Sequence, residues 1–165
     1  MSKQQHIDTV REIVKDIKFA MMTTITSEGH LHACPMTTSE TSLGAREVWF
    51  IGDKTTEAVA NISNNPQVNL SYVNQDGKDY VSINGKAELI DDQDKLDELW
   101  SPVYNAFYEH GKKDENIQLI KVVPNGAEYW RSGNTVVTAA KMAAAAVQDG
   151  KVAESLGENG SVQFD

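Results

Sequence analysis

Tyr80-Val81-Ser82-Ile83-Asn84-Gly85-Lys86-Ala87-Glu88-Leu89 is the stretch on which the fold turns. Val81 and Ile83 alternate with Ser82 and Asn84, the two-residue period of a strand with one buried face. Gly85 breaks that pattern before Ala87 and Leu89 resume it. A glycine inside a strand marks a bulge or sharp bend, the device by which barrels turn corners. The pattern predicts one long strand, bent near its middle, in a curved sheet.

Working outward, Val68, Leu70 and Tyr72 alternate as the preceding strand, joined through the polar turn Asn74-Gln75-Asp76-Gly77-Lys78. Phe19 to Ile25 is short, apolar and threonine-rich, and Ser27-Glu28-Gly29 turns it into a hairpin partner over Leu31 to Ser39. Glu47 to Ile51, with Trp49 and Phe50, makes a third strand. Ile7, Val10, Ile13, Val14 and Ile17 recur at helical spacing among charged residues and predict an amphipathic first helix. A short helix carrying Val59 and Ile62 should stop at Asn64-Asn65-Pro66, because proline disfavours helix in the residue before it. Asp91 to Trp100 reads as helix, with its acids at the favourable end of the dipole. Downstream, Asn116 to Val123 and Ala127 to Arg131 are expected to pair around a turn at Pro124-Asn125-Gly126. Thr138 to Val147 is alanine-rich and expected to be helical, and the polar tail beyond Gly150 is expected to be loose. Six or seven short strands with a few helices between them indicate a mainly β (α+β) barrel rather than a βαβ sheet.

The composition fits one domain over residues 1–165, with the barrel at about 19–131 and a C-terminal helix and tail over 132–165. A chain of this size buries roughly 68–70% of its unfolded surface, enough for a core without metal or disulfide. The net charge of −9 repels a phosphate backbone and anionic lipid, so neither nucleic acid nor a membrane is an expected partner. No run approaches the ~18 apolar residues of a membrane span. Cys34 is the only cysteine, so no intrachain disulfide forms, and the expected compartment is the cytoplasm.

Three groups of residues have chemical potential. The strand-to-helix junction Gly52-Asp53-Lys54-Thr55-Thr56-Glu57 offers helix N-terminal amides, hydroxyls and one ammonium to an anion. The simpler role of Thr55 or Thr56 is to cap the helix, worth about 1 kcal/mol. His30-x-His32-x-Cys34 brings zinc- or copper-type ligands to one strand, yet falls short of the four that a structural site needs. Trp49, Phe50, Tyr72, Tyr80, Tyr129 and Trp130 should mostly be core, leaving one or two to pack against a planar ligand. Glu28, Glu40 and Glu57 lie beside turns and read as solvated.

Several blocks together resemble a known family. They are Ala20-Met21-Met22-Thr23-Thr24, Gly29-His30-Leu31-His32-Ala33-Cys34-Pro35-Met36 and Val48-Trp49-Phe50-Ile51-Gly52-Asp53. Asn65 to Tyr72, Tyr80 to Ala87, Leu99-Trp100-Ser101-Pro102 and Glu128-Tyr129-Trp130 complete the set, over about two-thirds of the chain. Their order and spacing resemble the pyridoxamine 5′-phosphate oxidase-like FMN-binding split-barrel family, in its general stress protein branch. The resemblance implies a six-stranded antiparallel split β-barrel with flanking helices, working as a homodimer with FMN between its subunits. One subunit would hold the cofactor through Pro35, Met36, Thr37, Ile51, Gly52, Lys54, Thr55 and Thr56, and the other would add Tyr80 and Trp130. The implied function is a flavin-dependent oxidoreductase of unassigned small-molecule substrate, linked to stress responses.

Two positions depart from the family pattern. Cys34 stands where relatives carry arginine before the Pro-Met pair, and Ala58 stands where they carry the lysine of a Ser-x-Lys triplet. Arginine gives a phosphate bidentate charge-assisted bonds that a thiol does not. A non-enzymatic dimer of the same fold, with FMN binding weakened or lost, is therefore the competing expectation.

Overall fold

The computed structural model describes residues 1–133, 139, 142–144 and 157–164. Helix α1 spans Lys3–Ile17 and opens on a reciprocal cap. The Ser2 amide donates to Gln5 Oε1 at 2.6 Å, and the Gln5 amide donates to Ser2 Oγ at 3.3 Å. The strands follow as β1 Phe19–Ile25, β2 Leu31–Ser42, β3 Glu47–Asp53, β4 Gln67–Asn74, β5 Asp79–Ile90, β6 Ile117–Ser132 and β7 Gly157–Gln163. Helix α2 (Glu57–Asn64) follows β3, and α3 (Gln93–Leu99) follows β5. Two 3-10 turns, Pro102–Ala106 and Gly111–Lys113, lead into β6.

All pairings are antiparallel, in the order β3-β2-β1-β4-β5-β6, and β6 returns to β3 to close a six-stranded barrel. Val48, Phe50, Met22, Leu70, Tyr72, Ile83, Ile120 and Val122 fill its interior. Ile7, Val10, Ile13 and Val14 of α1 join them, so the apolar stripe predicted for the first helix is part of the barrel core. Strand β3 is buried on both faces. Its outward Trp49 and Ile51 pack with Leu119, Leu96, Tyr104 and Tyr108 beneath α3 and the first 3-10 turn.

The bend predicted at Gly85 is present. Asn84 pairs with Gly126, but Gly85 pairs with Pro124, so Asn125 is an extra residue on β6. A Cβ on Gly85 would lie 2.5 Å from the Val123 carbonyl oxygen and 3.1 Å from Pro124 Cα, so only glycine fits. This bulge corrects the expected hairpin around Pro124-Asn125-Gly126. Residues 117–132 are one strand, and the apparent turn is its kink, where proline's missing N–H does least harm.

At the same bulge β6 changes its second neighbour. Residues 117–122 pair with β3, whereas Gly126 to Ser132 pair with β7. The tail expected to be loose is thus a strand over Gly157–Gln163. Main-chain pairing, buried Val162 and Phe164, and the bond from the Phe164 amide to the Asn125 carbonyl (2.8 Å) hold it. Tyr129 is fully buried beside it and donates to Glu158 Oε1 at 2.8 Å, while His6 Nδ1 lies 2.9 Å from the same hydroxyl. The helix expected over Thr138–Val147 falls largely outside the described residues; residues 139 and 142–144 are helical.

Candidate functional site

Strand alternation sorts the outer wall into a covered half and a bare half. On β1 and β2 the odd-numbered residues point outward, and the register extends this face across five strands. Pro35 lies opposite Met21, Met21 opposite Ser71, Ser71 opposite Ser82 and Ser82 opposite Glu128. Two residues along, the row reads Thr37, Phe19, Val73, Tyr80 and Trp130. Phe19 is 65% exposed, Trp130 46% and Tyr80 42%, and Met21, Leu31 and Val73 are also exposed. Singly such residues are ordinary; here six large apolar side chains share one outer face with Ser71, Ser82 and Glu128.

Tyr80 and Trp130 are direct cross-strand partners, a pairing that strand alternation alone does not disclose. They line a shallow groove of about 180 Å³ with Lys78, Arg131 and Asn159. The strand β7, absent from the sequence-level expectations, supplies Asn159 and sets it opposite Trp130. Pro35 and Thr37 share the outer face with this pair, whereas Met36 points the other way and packs against the core.

The remaining candidate residues gather at the β3–α2 junction. Ile51 and Gly52 are buried, and the Gly52 carbonyl accepts from the Tyr108 hydroxyl at 2.7 Å. Burial, followed by the charge of Asp53, pushes the Tyr108 phenol up to about 12, so it stays protonated and donating. Asp53 Oδ1 accepts from the Thr55 amide at 2.7 Å and from the Thr55 hydroxyl at 2.6 Å. The Thr56 hydroxyl donates to the Asp53 carbonyl at 2.8 Å and accepts from the Val59 amide at 3.5 Å, the capping role of the simpler reading. Lys54 does not join this group. It lines a separate cleft of about 380 Å³ with α3 and the second 3-10 turn.

Strand β2 passes beside the first turn of α2. His32 Nε2 lies 3.5 Å from Glu57 Oε2. Burial, and then the Glu57 charge, hold the Cys34 thiol above its usual range, so it is a neutral neighbour rather than a nucleophile. Ala58 is buried. His30 precedes β2, is exposed, and lies 3.7 Å from Glu28, so it does not share the strand face of His32 and Cys34. Among the described residues no three His, Cys, Asp or Glu side chains are grouped to hold a metal. Glu40, expected to be solvated, instead accepts from Lys95 Nζ at 2.8 Å.

A phosphate therefore does not fit the junction as it stands. The Thr55 amide and hydroxyl already serve the Asp53 carboxylate, the Thr56 hydroxyl serves a main-chain carbonyl, Glu57 flanks the helix start, and Lys54 lines another cleft.

Residues 5–153 match the family described as pyridoxamine 5′-phosphate oxidase like. The chain belongs to that family. Protein bli-3 of Neurospora crassa is 25% identical over 158 residues, spanning 90% of this chain and 76% of that protein. A general stress protein 26 structure from Jannaschia sp. CCS1 superposes with a TM-score of 0.76 at 22% identity, covering 98% of this chain and 99% of that one. The general stress FMN/FAD binding protein of Xanthomonas citri superposes at 0.69 with 23% identity, covering 80% and 92%.

Proposed function

We propose that this oxidase-like chain is a homodimeric flavin-binding protein of the general stress protein kind, acting in the cytoplasm as an oxidoreductase on a small molecule. The observation that carries the proposal is the bare outer face from β2 to β6, with Tyr80 and Trp130 paired at one end. A second copy laid on that face buries its apolar residues and encloses a slot walled by aromatic rings, suited to a planar heterocycle. Pro35 and Thr37 of one subunit border the slot on one side, and Tyr80 and Trp130 of the other close it. A flavin held there supplies reversible two-electron chemistry. The chain's own residues orient its ring and exclude water. The Xanthomonas citri relative, whose name records FMN/FAD binding, supports the ligand class.

The test is direct. Purified protein should run as a dimer on analytical ultracentrifugation, quench added flavin fluorescence, and bind with one flavin per subunit. A monomer that leaves flavin fluorescence unchanged at millimolar protein would sink the reading.

One observation favours a second reading, a dimeric binding protein of this fold without redox activity. The junction of β3 and α2 sets two carboxylates, Asp53 and Glu57, beside Thr55 and Thr56, the residues proposed to meet the flavin's phosphate. Flavin that binds but is not reduced by NADH or NADPH would support that reading.

A further inference from the structure

A further cleft lies between α1 and β2 and shares no lining residue with the Tyr80–Trp130 groove. Its volume of about 490 Å³ is within the range of small-molecule sites, roughly 300–1,000 Å³. We propose that it binds a doubly charged oxyanion, a phosphate or phosphate monoester, between Lys15 and Lys18 on one wall and the Thr41 hydroxyl on the other.

Arg11, Val14, Lys15 and Lys18 follow the i, i+3, i+4, i+7 spacing, so one stripe of α1 and its cap sets three cations along one wall. In a chain of net charge −9 this is a local reversal of sign. The carboxylates that could cancel it are engaged elsewhere. Glu40 also lines the cleft, but it accepts from Lys95 Nζ at 2.8 Å. Asp8 balances Arg11 at 2.7 Å, and Glu12 pairs with Arg131 at 3.2 Å. Lys15 and Lys18 are exposed and form no ion pair among the described residues. Two unneutralised ammoniums match a dianion.

Lys18 is the sharper observation. It caps α1 at φ 64° and ψ −36°, in the left-handed region where a side chain is strained and helices ordinarily place glycine. Glycine would serve the turn better, so the turn does not account for the lysine, whereas an ammonium needed in the cleft does. Lys15 also complements the C-terminal end of the helix dipole, but that role acts on stability and calls for no cleft.

The opposite wall is shaped by a bulge. Thr38 pairs with Phe50 and Glu40 with Trp49, so Ser39 is the extra residue, and bulges re-aim the side chains around them. The Thr38 and Ser39 hydroxyls are tied to those of Tyr72 and Tyr104, each at 2.7 Å. Thr41 Oγ1 is shielded from solvent and has no partner, so turning it to a ligand oxygen breaks no bond within the chain.

Isothermal titration calorimetry of the full chain at pH 8 and low salt tests this with inorganic phosphate, phenyl phosphate and, at equal ionic strength, acetate. The phosphates should bind with Kd near 1 mM or tighter, at least fivefold more tightly than acetate. Phenyl phosphate ahead of inorganic phosphate by threefold or more identifies an ester as the ligand, and a smaller difference identifies the free anion. Lys18→Gly should weaken phosphate binding at least threefold without lowering the melting temperature by more than about 2 °C, because glycine relieves the left-handed residue. Thr41→Val should weaken it about twofold or more. Lys113→Gln, which removes a charge from another cleft, should leave it within 1.5-fold. A preference over acetate below fivefold overturns the proposal. So does a loss in Lys18→Gly below threefold, or an equal loss in Lys113→Gln. None of these results bears on flavin binding, which is read by its own fluorescence.

Discussion

Replacing Gly85 with alanine tests the bulge that bends the barrel. The added Cβ would lie 2.5 Å from the Val123 carbonyl oxygen, 3.1 Å from its carbon and 3.1 Å from Pro124 Cα. All three are main-chain atoms of the partner strand, so no side-chain rotation relieves the contact. Overpacking in a well-filled interior costs about 1–3 kcal/mol, and a rigid backbone neighbour places this case toward the upper end. Alanine also narrows the unfolded ensemble, which returns about 0.4–1 kcal/mol. The net expectation is a loss of about 1.5–2.5 kcal/mol, or about 3–10 °C in melting temperature for a chain of this length. Gly44→Ala is the control, because a Cβ there meets nothing within 4 Å. Thermal melts and urea titrations followed by circular dichroism read both variants. If Gly85→Ala melts within about 1 °C of the parent, β6 yields at Asn125 and the bulge is not sterically fixed.

Tyr129→Phe should lower stability by about 1–2 kcal/mol, because it removes the bonds to His6 and Glu158. Amide exchange should then speed up in β7 while β4 and β5 stay protected. Trp130→Glu should shift the proposed dimer toward monomer in sedimentation without lowering the melting temperature of the monomer, since its side chain is 46% exposed. At alkaline pH the phenols of Tyr72 and Tyr108 matter, each pushed up to about 12 chiefly by burial. Unfolded phenols release their protons near 10, so between those values the folded state holds more protons. Stability should be complete below pH 10 and fall as pH rises toward 12. The urea midpoint of the Tyr72→Phe, Tyr108→Phe double variant should decline less over that range.

Strands β4 and β5 were legible because their residues alternate, β1 and β3 because each is a short apolar run between turn signals, and Gly85 announced the bend. The rest escaped for identifiable reasons. Pro124-Asn125-Gly126 has the composition of a turn, and nothing local distinguishes a turn from a bulge; the partner Gly85 does. Strand β7 carries Gly157, Glu158, Asn159, Gly160 and Ser161, which read as tail, and it exists because β6 has a free edge beyond Asn125. The second core was hidden for a similar reason. Tyr104 sits in the first 3-10 turn and Tyr108 in the link to the second, without helical periodicity, and their role emerges only once β3 is seen to bury both faces. At the site, the sequence located the β3–α2 junction and named Tyr80 and Trp130. It did not show that Lys54 faces another cleft or that Asp53 occupies the Thr55 donors, because both depend on side-chain direction.

The packing of one face of α1 into the barrel core also sets an order of events during synthesis. Its stripe of Ile7, Val10, Ile13 and Val14 shares a core with residues as late as Phe164, and His6 reaches Tyr129 across 123 positions. Chains whose contacts span such separations fold slowly, on the order of milliseconds to seconds. Emerging at about 5–20 residues per second, the growing polypeptide carries that stripe uncovered for many seconds before β6 is complete. The α1 stripe is therefore made well before the strands that cover it, and it stays open to wrong apolar contacts until they arrive.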